Sequence, residues 1–170
     1  MPLMLLFAAN LWSIPVATTV VDTIVIERPA SQSLDYARTV SRWPEWHPQS
    51  AVVQAENQGP LEAGDRFHEV IDTPMGRSRV SWEVIANSAE NQWRVRGVNL
   101  DNDVEIELAY RFKALDNGHS EFERTLRYTM PNFPLVLANV VHFKGAIEQK
   151  SEQSLKRFKE TIETLPVGPN

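Results

Sequence analysis

The sequence predicts an α+β fold, an antiparallel sheet curved around an internal apolar space and closed by one long C-terminal helix. Three observations carry that reading. Ser41-Arg42-Trp43-Pro44-Glu45-Trp46-His47-Pro48 places two tryptophans and two prolines within eight residues, a rigid aromatic corner rather than a flexible loop. Such a corner anchors a short helix over the mouth of a curved sheet. Residues 51–130 read as consecutive hairpins, and residues 135–165 carry apolar side chains at helical spacing.

Each element follows from its local pattern. Thr18 to Glu27 is rich in Val, Ile and Thr and reads as a strand, ended by Pro29-Ala30-Ser31. Ser33 is placed to cap a short helix carrying Leu34, Tyr36, Ala37 and Val40. After the tryptophan corner, Ala51 to Glu56 forms a short strand, with turn chemistry at Asn57-Gln58-Gly59-Pro60 and Ala63-Gly64-Asp65. Strands follow at Arg66 to Asp72, Ser78 to Ala86, Gln92 to Leu100, Val104 to Lys113 and Ser120 to Met130. Their apolar residues alternate with polar ones, as in antiparallel strands with one wet face. Thr73-Pro74-Met75-Gly76, Asp101-Asn102-Asp103 and Asp116-Asn117-Gly118 supply turns between them. Asn132 caps the last helix, Leu135 to about Leu165, which runs roughly 46 Å. Its predicted buried stripe is Val136, Val140, Phe143, Ile147, Leu155, Phe158 and Ile162. Gly145 is a candidate kink or close-contact point.

At 170 residues, with 42% hydrophobic and 23% charged side chains, the chain is expected to form one domain over residues 18–166. Residues 1–17 form an apolar extension and residues 167–170 a tail. The first charged side chain is Asp22. Three readings of the extension stand: an ordered or partly ordered segment, a cleaved secretory signal, or an anchor for a membrane or partner. Against a signal, the start lacks Lys and Arg, Asn10 and Pro15 interrupt it, and the cleavage pattern near Ala17 is poor. The net charge of −5 and the lack of a basic run argue against nucleic acid as a partner. With no cysteine, disulfides, thiolate nucleophiles and cysteine metal sites are excluded. A cytoplasmic location is expected, with secretion or membrane association as the alternatives raised by the apolar N-terminus.

Three segments carry a family resemblance: Trp43-Pro44-Glu45-Trp46, then Gly59-Pro60-Leu61-Glu62-Ala63-Gly64-Asp65-Arg66-Phe67, then Glu121-Phe122-Glu123-Arg124-Thr125-Leu126-Arg127-Tyr128. From about Val20 to Leu165 the chain resembles the SRPBCC superfamily, which includes START-type lipid-transfer domains, pollen-allergen-like proteins and bacterial polyketide cyclase/dehydrase-like proteins. The resemblance implies a helix-grip fold. In it, two short helices follow the first strand, and a sheet of about seven strands wraps around the long helix with an apolar cavity between. It further implies that many members bind lipids, polyketides, sterols or other apolar ligands and that only some are enzymes. The superfamily has no universal catalytic motif, so no catalytic role is carried across, and no cofactor is expected.

Arg124 is the most informative single position. It stands in phase with Phe122, Leu126, Tyr128 and Met130, so a regular strand points it inward, where a guanidinium needs a partner. It either orients a carboxylate, enolate or carbonyl of a ligand, or pairs with a carboxylate such as Glu69, reaches the cavity rim, or turns outward at a bulge. Trp82, Trp93, Tyr110, Phe112, Phe122 and Tyr128 form an inward aromatic set that either fills a core or lines a cavity. Phe143 and Ile147 would close the opposite side. Trp43 and Trp46 are read as a clamp on the short helices, or as a gate. Of His47, His68, His119 and His142, none has metal-binding spacing and no metal site is expected. His142, beside the helix stripe, is a weak acid–base candidate with Arg124 and Tyr128.

Three functions stay open. The first is binding, and in some cases transport, of a hydrophobic small molecule such as a lipid or polyketide. The second is a metal-free cyclase or dehydratase-like enzyme. The third is a protein- or membrane-interaction module, using the N-terminal segment and residues 136–147 for a homodimer or membrane contact.

Overall fold

The computed structural model describes residues 15–73, 76–88 and 91–166. Residues 1–14 of the extension, Pro74-Met75 of the predicted turn and the 167–170 tail lie outside the described residues. Strand β1 (Val16–Ile26) leads to helix α1 (Ala30–Arg38), a 3₁₀ turn (Val40–Arg42) and the one-turn helix α2 (Trp43–Trp46). Then come β2 (Ser50–Ala55), β3 (Arg66–Thr73), β4 (Gly76–Ser88), β5 (Gln92–Asn99), β6 (Glu105–Ala114) and β7 (Ser120–Met130). The chain ends in α3 (Phe133–Ala138), a π-helical turn (Asn139–Phe143) and α4 (Lys144–Thr164).

The strands form one seven-stranded sheet in the order β1-β7-β6-β5-β4-β3-β2, antiparallel throughout. This is the helix-grip fold. Alternation along the strands gives the sheet its buried face, as in β7, where Ser120, Phe122, Arg124, Leu126, Tyr128 and Met130 are all buried. One row crosses the whole sheet through Thr18, Tyr128, Ile106, Gly97, Trp82, Phe67 and Ala55. Gly97 faces the Trp82 indole, and a Cβ there would come within 2.5 Å of the ring. The strand thus tolerates a glycine because the neighbouring indole occupies its side-chain space.

Helix α1 begins at Ala30 rather than at a Ser33 cap. The Pro29 carbonyl already accepts the Ser33 N–H at 3.0 Å, and the Ser33 hydroxyl lies buried 3.3 Å from that of Ser120. The tryptophan corner is the centre of the core. Trp43 and Trp46 are fully buried, with Phe67, Trp93, Tyr110, Phe112, Phe122 and Phe158 around them. Their rings meet mostly edge to face, as between Trp43 and Phe67 at 5.2 Å and Trp46 and Phe158 at 4.9 Å.

The C-terminal helix departs from the predicted stripe at one position, Val140. Leu155, Phe158 and Ile162 are buried, whereas Val140 is 71% exposed, beside exposed Leu137 and Val141. The π turn at Asn139–Phe143 adds a residue to one turn and carries Val140 to the solvent side, while Leu135 and Val136 before it and Ile147 after it still pack against the core. The irregularity lies there and not at Gly145, where a Cβ would meet nothing within 4 Å. Asn139 pins the turn, accepting from the Tyr128 hydroxyl at 2.9 Å and donating to Thr18 Oγ1 at 3.2 Å. Asn132 caps α3 as predicted, accepting the Leu135 N–H at 3.2 Å. At the other end of α4, Lys159 donates to the Val25 carbonyl at 2.9 Å, and Glu163 accepts the Glu27 N–H at 2.7 Å. No helix among the described residues is long and apolar enough to cross a membrane.

Candidate ligand site

Between the concave face and the last helix lies a cavity of about 140 Å³. That is close to the roughly 150 Å³ of an engineered cavity that takes one benzene, so this conformation has room for a single ring or a short acyl chain. Its walls are mainly apolar, with Ile71, Leu108 and Leu126 from the sheet, Val104 from the turn before β6, and Phe143 and Ile147 from the helix. Arg124, Glu69, His47 and Asn99 are the polar groups that reach it with little or no exposure to solvent.

The strand period explains how these groups arrive. On β3 the inward set is Phe67, Glu69 and Ile71, so Glu69 enters the cavity as an apolar residue would. The Trp82 indole N–H donates to its Oε2 at 2.9 Å. Burial pushes the Glu69 carboxyl up to about 7, against the neighbouring Ser50 hydroxyl, the Trp82 hydrogen bond and the nearby positive charge of Arg124. His47 leaves the corner stacked on Trp43 at 4.9 Å and shares a 2.9 Å hydrogen bond with the Tyr110 hydroxyl. Burial first, and then Arg124, hold His47 well below the usual histidine range, so it is neutral. Burial likewise raises the Tyr110 phenol, which stays protonated.

Arg124 is only 4% exposed. In the sheet it stands between Asp22 on β1 and Tyr110 on β6. Its Nη1 donates to Ser151 Oγ at 2.5 Å, and the Ser151 hydroxyl in turn donates to the Asp22 carboxylate. Its Nε has no hydrogen-bond partner. Glu69 lines the same cavity without forming an ion pair with it, and the hydrogen-bonded link from Arg124 to a carboxylate runs through Ser151 to Asp22.

The predicted site residues therefore divide. Trp82, Arg124, Tyr128, Phe143 and Ile147 stand on the cavity wall. Trp93, Tyr110, Phe112 and Phe122 lie in the aromatic core behind it, and His142 is exposed on the π turn. Sequence reasoning did not single out His47, Asn99, Asp22 or Ser151. The phase of Phe67 and Ile71 was enough to point Glu69 inward, whereas the contact of Ser151 with Asp22 leaves no local signal.

A family model described as polyketide cyclase / dehydrase and lipid transport matches residues 17–163. The chain belongs to that family. No curated protein sequence matches it. Among solved structures it is similar to the Zhui aromatase/cyclase from Streptomyces sp. R1128, with a TM-score of 0.70 and 13% identity over 87% of this chain and 94% of that one. A START superfamily protein from Mycobacterium smegmatis gives 0.65 and 15%, over 87% and 99%. The major latex-like protein 151 of Panax ginseng gives 0.64 and 9%, over 88% and 99%. At such identities the likeness is one of fold. The family description joins polyketide cyclase or dehydrase chemistry with lipid transport.

A buried carboxyl in this family member makes stability depend on pH. In the unfolded chain Glu69 ionises above about 4.5, and in the folded chain only above about 7. Between those values the native state holds the extra proton, so stability falls as pH rises. The expected loss is on the order of 2 kcal/mol from pH 5 to pH 8, discounted for local relaxation. Glu69→Gln flattens that slope, as urea denaturation at both pH values would reveal. An equal slope in both proteins would place the effect elsewhere.

Proposed function

We propose that this chain binds, and in that sense carries, one apolar small molecule of lipid or polyketide type in the cavity, with Arg124 orienting its polar end. The supporting observation is a wall of apolar side chains interrupted by one buried guanidinium. Burial of the ligand contributes about 25 cal/mol per Å², and a few fixed polar groups set its direction. Trp82 stands in that wall, so tryptophan emission reports occupancy.

The test is a panel of fatty acids, sterols and aromatic polyketides, followed by emission and by melting temperature. At least one compound is expected to change the emission and raise Tm by several degrees. Ile147→Trp fills the space from the helix side and should weaken that compound about tenfold or more, with the far-UV spectrum unchanged. A panel that moves neither signal rejects the reading.

Glu69 gives a cyclase or dehydratase-like reading its footing. A carboxyl that titrates near neutrality, in one cavity with a guanidinium, has the properties needed to move a proton at an enolisable carbonyl. Under that reading Glu69→Gln abolishes turnover of a polyketide-like substrate and leaves its binding intact. The exposed Leu137, Val140 and Val141 support a surface contact of this helix segment with a membrane or a second copy, which sedimentation with and without vesicles would detect.

A further inference from the structure

Resting on the reading of the cavity as a ligand site, we infer that its ligand is an apolar carboxylic acid, bound as the carboxylate at Arg124, and that Glu69 takes up a proton as it binds. Arg124 carries the first half. A guanidinium has five N–H donors and cannot shed its charge. Here it is 4% exposed, one nitrogen is occupied by Ser151, the Tyr110 hydroxyl is a further polar neighbour, and Nε has no hydrogen-bond partner. No ion pair joins it to a carboxylate among the described residues. A buried cation in that condition is strongly favoured by an arriving anion, and a carboxylate matches the planar fork of the guanidinium.

The tether fixes which way the fork faces. Ser151 accepts from Arg124 and donates to Asp22, and Asp22 is also the cross-strand neighbour of Arg124 on β1. The guanidinium is thus held from the helix side while its strand presents it to the cavity. The remaining wall, with Val104, Leu108, Leu126 and Met130 among its members, suits a hydrocarbon body.

Glu69 carries the second half. The groups set around it are Ser50 from β2, Trp82 from β4, Asn99 from β5, Tyr110 from β6, Arg124 from β7 and His47 from the link into β2. His47 and Tyr110 are uncharged, so Arg124 is the only cation named among them. An arriving carboxylate consumes that cation's attraction and adds a like charge in the same low-dielectric space. Both effects favour the protonated form of Glu69. The Trp82 N–H serves a carboxyl in either state, so the proton arrives without repacking. Since the free carboxyl titrates at about 7, uptake approaches one proton at pH 8 and vanishes near pH 6.

The experiment is calorimetric titration of the full chain with hexanoate, octanoate and decanoate, and with the matching amides, at pH 6 and pH 8. Each is run in phosphate and in imidazole, whose ionisation heats differ. The acids are expected to bind at least tenfold tighter than the amides. Proton uptake is expected at pH 8 only, with Glu69→Gln removing the buffer dependence and Arg124→Met bringing the acids down to the amides. The wild-type buffer dependence needs no variant and stands even if Arg124→Met fails to fold. Amides that match the acids, or acids that bind at pH 8 without proton uptake, overturn the inference. If neither series binds while the broader panel does, the inference falls and the cavity reading survives; if nothing binds at all, both fall.

Discussion

Replacing Trp43 by alanine lowers the unfolding free energy by about 4 kcal/mol and Tm by roughly 10 °C. Trp43 is fully buried, and its ring meets Phe67 at 5.2 Å, Trp82 at 6.0 Å and Trp93 at 6.2 Å. Its indole N–H also donates to the Ala37 carbonyl at 2.9 Å, tying the corner to α1. Alanine therefore removes dispersion contacts on several sides and leaves a buried acceptor unpaired. His47 stacks on the same ring, so the loss also reaches the cavity wall. Urea denaturation of both proteins measures the effect. A loss below 1 kcal/mol would mean that the surrounding rings close the hole, and that the corner is not the keystone of this core.

Gly97→Val is expected to destabilise by about 3 kcal/mol, although strand propensity alone favours valine over glycine. The sign is set by Trp82, whose ring atoms lie 2.5 to 2.8 Å from where a Cβ at position 97 would sit. To make room the indole must tilt toward the cavity, which strains its bond to Glu69 and takes space from a ligand. A double-mutant cycle with Trp82→Ala isolates the clash: Gly97→Val should cost far less in the Trp82→Ala background, with a coupling of at least about 1 kcal/mol. Additive losses would mean that the penalty arises in the backbone of β5.

The strands were legible because their two-residue period is local. Val104, Ile106, Leu108, Tyr110 and Phe112 alternate with charged or small partners, and β6 follows them with each end displaced by one residue. The same period pointed Arg124 inward correctly. The helix was legible in extent, and in phase at every stripe position but Val140. Its stripe was counted at a constant helical spacing, and one π turn moved Val140 to the surface. The six inward aromatics could not be sorted into core and wall, because that division depends on where Trp43, Trp46 and Phe158 pack against them. The Arg124–Ser151–Asp22 chain was out of reach for a plainer reason: Ser151 and Asp22 are 129 residues apart, and neither residue type announces a buried contact.

The two side chains that the last helix sends to β1 have a bearing on how copies of this protein behave at high concentration. An open sheet invites a stranger's strand to add along its margin. Here Lys159 and Glu163 already occupy the Val25 carbonyl and the Glu27 amide. The long outer strand is thereby denied to fibril-like stacking at that end, and the other margin is β2, only six residues long.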